Sequence, residues 1–248
     1  MLPLAILVPF ILIALGADFI APYDPTEPIP GAKIFEPPFW MQGGSMHALL
    51  GTDFQSRDVL SRLIFGARVS LIVGVTGTIV AGSIGTALGI LAGYLGGWVD
   101  QVIMRITDAW LALPGLVFAI FLATMVGPSM WNIVIILGLV FWTRYARVIR
   151  GEVLSLRERE YVKLAEIAGA SRTRVILRHI LPNVMNSTMV LASLTIGVVI
   201  IAEASLSFLG VGVPPPEPAW GSMLSDGRSM LMVGDWLRVR LDPQLRNL

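Results

Sequence analysis

Residues 160–182 read EYVKLAEIAGASRTRVILRHILP, a polar stretch that lies between two long apolar stretches. Its first apolar residues recur at i, i+3, i+4 and i+7, which is the spacing of one helix face: Tyr161, Leu164, Ala165 and Ala168. Gly169 is expected to end this helix, because glycine readily adopts the left-handed conformation. Ser171 is expected to cap a second short helix, which Pro182 ends. The pattern predicts either a short amphipathic helix that enters a groove of another protein or a solvated helical loop.

The composition of the whole chain is that of a membrane protein. Of its 248 residues, 55% are hydrophobic and 14% are charged, and the mean hydropathy is +0.75. Soluble domains contain roughly 25% charged residues. We therefore predict an all-α, polytopic membrane protein. A net charge of +1 gives no indication of nucleic-acid binding, and the lack of cysteine excludes disulfides and cysteine-based metal sites.

The N-terminal part is predicted to contain one membrane helix and one external loop. Residues 1–21 are apolar except for Asp18 and are long enough to span a bilayer. A signal peptide is the alternative, but no Lys or Arg precedes this stretch and further apolar stretches follow. Residues 22–68 are predicted to be extracytoplasmic, with an irregular proline-rich loop and then an interfacial helix.

Residues 69–230 are predicted to form the membrane core, with four more spans: about 69–95, 101–126, from 130 onward, and 183–209. The first of these carries a small residue at every fourth position: Gly77, Ala81, Gly85, Gly89 and Gly93. Such a stripe lets two helix backbones approach closely in a membrane. A substrate path along the stripe is the alternative.

Charged residues in these spans lead to three further expectations. Arg105 and Asp108 are spaced i, i+3 and are predicted to pair, and Pro114 is predicted to kink the same helix. The fourth span is expected to continue beyond the membrane, with three arginines in an aqueous, anionic interface: Arg144, Arg147 and Arg150. Glu203 is an intramembrane acid, for which a functional role and a helix-packing hydrogen bond remain equal alternatives.

The distribution of basic residues predicts the orientation in the membrane. Nine of the 18 Lys and Arg residues lie between Thr143 and Pro182. The positive-inside rule therefore places residues 143–182 in the cytoplasm. Counting spans back along the chain also places the N-terminus in the cytoplasm.

The chain contains no sequence motif for covalent chemistry. It has no G-x-x-x-x-G-K-[ST] phosphate loop, no H-E-x-x-H and no G-x-S-x-G. Its two histidines are too few for a histidine metal cage. If the protein performs work, the energy must come from a partner.

Several stretches together resemble one known family of membrane proteins: GTDFQSRDVLSR, AGYLGGWVDQVIMR, KLAEIAGAS, RHILPN, EASLSFLGVGVPPP and WGSMLSDGR. The resemblance is to the C-type permease subunit of dipeptide, oligopeptide or nickel ABC importers, in the bacterial or archaeal plasma membrane. It implies a type I importer fold with six spans and no bound cofactor, ATP being bound by partner subunits. The implied partners are a second homologous permease, two cytoplasmic ABC ATPases, an extracytoplasmic solute-binding protein and membrane lipid. In this family's first motif, Ser56 stands where the pattern has glycine.

The resemblance also gives residues 160–169 a role. The family's EAA loop has the pattern E-A-A, three residues, Gly, nine residues and I-x-L-P, and Gly169 and Pro182 have the matching separation. Lys163, Leu164 and His179 depart from the pattern. The resemblance implies an ATPase-coupling helix formed by these residues: Glu160, Tyr161, Leu164, Ala165, Ala168 and Gly169.

The C-terminal tail, residues 231–248, departs from the family pattern. The family has a long apolar sixth span at this point, and here fewer than ten apolar residues precede the GDWLRVRLDPQLR tail. We therefore expect about five spans, with the sixth deleted, and reduced stability or assembly. Two hypotheses follow: a working importer permease, or a truncated paralogue that serves only as a membrane interaction subunit. A membrane enzyme is disfavoured by the missing motifs.

Overall fold

The fold is all-α, as predicted, in a computed structural model that describes residues 2–233. Within that range the regular elements are ten α-helices, one π-helical turn and a single isolated β-bridge between Thr52 and Asp58. The α-helices are α1 (Leu2–Leu15), α2 (Ala17–Ile20), α3 (Val59–Leu95), α4 (Gly97–Leu111), α5 (Gly115–Val126), α6 (Met130–Arg157), α7 (Glu160–Ile167), α8 (Arg172–Val175), α9 (Leu181–Phe208) and α10 (Trp220–Val233).

The chain divides into two compact units. Of the described residues, one unit contains 2–72 together with 203–233, and the other is Val73–Ala202. In the second unit, α6 is the central helix, because it packs against both α4 and α5 and also contacts α7. The coupling helix predicted at residues 160–169 lies in this second unit, together with the whole of α6.

Three described helices are long and apolar enough to cross a membrane: Val59–Leu95, Met130–Arg157 and Arg172–Phe208. The count becomes four if α4 and α5, which are bent by 91° at a short break, form one span. These helices correspond to four of the five predicted spans. In residues 1–21 the structure has α1 of 14 residues and α2 of four, so a first span there stays a prediction.

Helix α3 is longer than expected. It begins at Val59 and runs without a break to Leu95, so the predicted interfacial helix and the second span are one helix. Asp58 caps its start, because its Oδ2 accepts hydrogen bonds from the backbone N–H of Ser61 at 2.8 Å and from the Ser61 hydroxyl at 2.6 Å. Arg62 lies in this capped first turn, and Arg68 lies further along the same helix.

The predicted Arg105–Asp108 pair is wrong. Asp108 of α4 instead accepts a hydrogen bond at 2.6 Å from Arg147 of α6. Arg150 of α6 likewise donates to Asp100 of α4, at 2.5 Å. Two of the three arginines expected in an anionic interface therefore bind carboxylates of a neighbouring helix, because α4 packs along α6. The bend expected at Pro114 is present, since α5 begins directly after this proline.

The expectation that Pro182 ends the helix before it is also wrong. A π-helical turn, Ile176–Ile180, joins α8 to α9, and the backbone N–H of Leu181 bonds to the carbonyl oxygen of Ile176. Pro182 is the second residue of α9. A proline in the first turn after the π-turn needs no N–H donor there, so the helical path continues from Arg172 to Phe208.

At the C-terminal end of the described residues, a helix follows the prolines at 214–216. Helix α10 runs from Trp220 to Val233, and the indole N–H of Trp220 donates to the carbonyl oxygen of Leu63 at 2.9 Å. The predicted loss of a sixth span concerns the tail at 231–248. Most of that tail, residues 234–248, lies outside the described residues.

Candidate functional site

Helix α7 is attached to the rest of its unit by one buried side chain. Val162 is completely buried. It belongs to an apolar cluster contributed by α3, α6, α8, the π-turn and α9: Ile90, Tyr94, Ile149, Val153, Val175, Ile180 and Val184. The sequence pattern did not single out Val162, because it lies off the predicted apolar face. This valine determines which face of α7 is turned towards the chain's own core.

The predicted apolar face of α7 is turned the other way, and the described residues leave most of it uncovered. Tyr161 is 42% exposed, Leu164 63% and Ile167 83%. Glu160 and Ala168 are exposed as well, and Ala165 is half-buried. Sequence reasoning missed Ile167, although its i+3 spacing from Leu164 was a usable signal. A row of large apolar side chains on the outer face of a short helix is typical of a protein-binding surface.

The end of α7 is a tight and well-defined turn. Gly169 has a φ of +83°, which a residue with a side chain rarely adopts. Its N–H bonds to the carbonyl of Glu166, and the N–H of Ala170 bonds to the carbonyl of Ala165, both at 3.0 Å. This is a Schellman motif, and it accounts for the glycine that the sequence predicted at this position. Ser171 then caps α8 by accepting from the N–H of Arg174 at 3.4 Å.

Two of the charged residues of α7 have partners in this chain. Lys163 forms an ion pair with Glu158 at 2.7 Å, and both side chains are more than half exposed. The Lys163 ammonium lowers the pKa of the Glu158 carboxyl. Glu166 accepts a hydrogen bond from the hydroxyl of Tyr94 at 2.8 Å. These contacts tie the polar side of α7 to the preceding turn and to the end of α3.

The small-residue stripe of α3 faces α6 at its last three glycines. A Cβ atom at Gly85 would overlap the carbonyl oxygen of Trp142, and one at Gly89 would lie 2.8 Å from the carbonyl oxygen of Ala146. At Gly93 a Cβ atom would lie 2.8 Å from that of Val153. Ala81 is completely buried, and Gly77 lies near Val199 of α9. These distances leave no room for side chains and favour the helix-packing interpretation over a substrate path.

Glu203 is buried and hydrogen-bonded within its own unit. The Ser207 hydroxyl donates to its Oε1 at 2.6 Å, and the Ser70 hydroxyl of α3 approaches its Oε2 at 3.5 Å. Ser207 in turn accepts from the backbone N–H of Val213 at 3.1 Å. Both carboxyl oxygens thus meet hydroxyl groups of packed elements, which favours the packing hydrogen bond of the two alternatives.

A buried charged cluster precedes α3 and was not foreseen. Asp53 accepts from the Nε of Arg57 at 2.8 Å, and the Nε of Arg62 lies 3.5 Å from the same carboxylate oxygen. Both arginines are 3% exposed. Arg62 also donates to the carbonyl of Pro25. Paired charges of this kind hold the loop that precedes α3 to the start of that helix. Within residues 2–233, no three His, Asp or Glu side chains are grouped as a metal site.

The family described as "Binding-protein-dependent transport system inner membrane component" matches residues 85–234. The chain is 38% identical over 256 residues to the di/tripeptide transport system permease protein DppC of Pseudomonas aeruginosa (strain UCBPP-PA14), covering 94% of this chain and 84% of the relative.

Two more relatives cover nearly all of the chain. The glutathione transport system permease protein GsiD of Pectobacterium atrosepticum is 38% identical, covering 96% of this chain and 84% of the relative. The dipeptide transport system permease protein DppC of Alkalihalophilus pseudofirmus is 37% identical, covering 98% of this chain and 85% of the relative. The similarity therefore extends over both compact units.

Proposed function

Because the chain belongs to the family of binding-protein-dependent transport system inner membrane components, we propose that it forms half of a translocation pathway for dipeptides or oligopeptides in an ABC importer. Its membership makes it a permease subunit of a transport system and not an enzyme. The quoted relatives are named for di/tripeptide, dipeptide and glutathione transport. These names support a peptide substrate, and nickel is the alternative substrate if no peptide is taken up.

The observation that carries the proposed coupling role is the exposed apolar face of α7. Leu164 and Ile167 are the most exposed of its large apolar side chains, while Val162 on the opposite side is buried. Burying such side chains in a partner's groove would release roughly 1.5–3 kcal/mol for each fully buried residue. We propose that this groove belongs to a cytoplasmic ABC ATPase, whose ATP-driven closure moves α7.

The other partners follow from the type of system. A binding-protein-dependent system requires a solute-binding protein outside the membrane. We propose a second homologous permease in the membrane and two ATPases on the cytoplasmic side. The nine basic residues of 143–182 support a cytoplasmic position for this loop and for the N-terminus. Residues 22–68 would then face the solute-binding protein.

Co-purification tests the coupling proposal directly. A carboxylate in an apolar groove is strongly disfavoured, so Leu164→Asp should abolish recovery of the ATPase with the full-length chain in detergent. Met46→Asp is the matched control, because Met46 is 75% exposed and lies in the predicted external loop. Recovery of the ATPase should be unchanged in Met46→Asp. Equal recovery with wild type and Leu164→Asp would overturn the coupling role.

The alternative function is that of a transport-incompetent paralogue that only assembles with partners. It predicts that the chain recovers the ATPase but supports no peptide uptake in vesicles. The importer proposal predicts both recovery and uptake. Measuring the two quantities on the same preparation separates the alternatives.

A further inference from the structure

The end of α3 is joined to α7 by one directional contact between distant residues. Tyr94 lies in the last turn of α3 and is only 7% exposed. Its hydroxyl donates to Oε1 of Glu166 at 2.8 Å. Val162 attaches α7 to the same unit by apolar packing without a preferred direction, and the Tyr161 ring lies 6.2 Å from that of His179. The hydrogen bond therefore fixes how α7 is rotated relative to α3.

The surroundings of this hydrogen bond are polar and bring four helices together. The Nη1 of Arg157, at the end of α6, donates to the backbone carbonyl of Tyr94 at 3.2 Å. A cavity of about 440 Å³ opens beside the pair. Its lining residues come from α3, α6, α7 and α8 and the turns beside them: Tyr94, Leu95, Arg157, Glu166, Ala170 and Arg172. Two guanidinium groups thus share one polar cavity with the Glu166 carboxylate.

We propose that Tyr94 and Glu166 are positioning residues that transmit movement of α7 to α3. The proposal rests on the coupling role of α7 given above. Helix α3 is one continuous helix of 37 residues, so a displacement received at Tyr94 acts on a rigid element. The cavity beside the pair gives Glu166 and the arginines room to shift during such a displacement. Loss of the hydroxyl should leave α7 able to bind an ATPase while its movement is passed on less effectively.

Tyr94→Phe is the sharpest variant, because it removes the hydroxyl and keeps the packed ring. In vesicles containing the complete transport complex, we expect the ratio of peptide uptake to ATP hydrolysed to fall by about tenfold, the factor that loss of a hydrogen bond to a charged group corresponds to. Recovery of the ATPase and the melting temperature should stay close to the wild-type values. A merely structural role would change those two quantities instead.

Three further variants test whether the effect belongs to this pair. Glu166→Ala should lower the same ratio. The double variant Tyr94→Phe/Glu166→Ala should have a ratio no lower than that of either single variant, because the two residues act through one contact. Glu166→Gln keeps an acceptor oxygen and should restore most of the ratio. Tyr145→Phe is the matched control, since this buried tyrosine packs against Gly82 of α3 and not against α7.

Each outcome separates this inference from the function on which it rests. An unchanged uptake-to-hydrolysis ratio in Tyr94→Phe, or additive losses in the double variant, would overturn the positioning role alone. A wild-type chain that recovers no ATPase would overturn the coupling role and the positioning role together. A tenfold lower ratio with normal ATPase recovery supports both.

Discussion

At the scale of single residues, the backbone at Ser56 explains why the family pattern that this chain resembles has glycine at this position. Ser56 has a φ of 58°, in the left-handed region that glycine occupies without steric cost. Its N–H bonds to the carbonyl of Asp53, and its own carbonyl accepts from Ile29. The family pattern has glycine at this position, and the turn before α3 is the physical reason.

Replacing this serine should therefore stabilise the protein. We expect Ser56→Gly to raise the free energy of unfolding by up to about 1 kcal/mol, because relief of the left-handed strain exceeds the added entropy of the unfolded chain. Thermal unfolding in detergent measures the change. Ser56→Ala keeps a Cβ atom and is the control that should show no gain, and an equal gain in both variants would argue against backbone strain as the cause.

Glu203 offers a second prediction at this scale. Glu203→Leu should lower the free energy of unfolding by about 1–3 kcal/mol, because the hydroxyls of Ser207 and Ser70 lose their buried acceptor. Glu203→Gln keeps an acceptor oxygen and should lose less stability and retain transport. If Glu203→Gln loses transport while its melting temperature is unchanged, Glu203 has a functional role in transport and is not only a helix-packing residue.

The position of a residue on its helix could be predicted from the sequence, but its contact partner could not be when that partner is far away along the chain. The exposed positions Tyr161 and Leu164 followed from local spacing, and so did the glycine at 169. The Tyr94–Glu166 contact joins residues 72 positions apart, and the bond between Arg147 and Asp108 also crosses between helices. No local pattern identifies such partners, because they are set by how the helices pack.

At the scale of helices, the contact between α3 and α6 depends on backbones that approach closely. At Gly85, a Cβ atom would overlap the backbone of Trp142 in α6. At Gly151 of α6, a Cβ atom would meet nothing within 4 Å. Two glycines on facing helices thus have opposite surroundings and form a matched pair for substitution.

We expect Gly85→Ala to lower the free energy of unfolding by about 1–3 kcal/mol, because the overlap must be relieved by separating the helices. Gly151→Ala should be neutral or raise it by up to about 1 kcal/mol, since alanine favours the helix. Melting temperatures of the two purified variants give the comparison. A Gly85→Ala protein as stable as Gly151→Ala would show that α3 and α6 do not pack closely.

Helix breaks were predictable where a residue lacks a backbone donor or has no side chain. The bend before α5 followed from Pro114, and the turn between α3 and α4 contains Gly96 and Gly97, both with positive φ. The π-turn at Ile176–Ile180 has no such residue. Its presence let the helix continue past Pro182, which the sequence alone assigned to a helix end.

At the scale of the whole molecule, hydropathy was sufficient to predict the all-α membrane fold, and the quoted sequence motifs were sufficient to predict the family. Three described helices can cross a membrane, and the bent pair α4 and α5 can provide a fourth. The partners were not predictable from hydropathy, because they depend on exposed faces such as that of α7. The family membership and the exposed Leu164 together support a permease whose energy for transport comes from a partner protein.

ATP-dependent uptake of a labelled dipeptide tests the central claim most directly. The measurement uses sealed vesicles that contain this chain, its partner permease, the ATPases and the solute-binding protein. We predict uptake that requires this chain and is abolished by Leu164→Asp. Uptake that is equally fast without this chain, or with Leu164→Asp in its place, would contradict the claim.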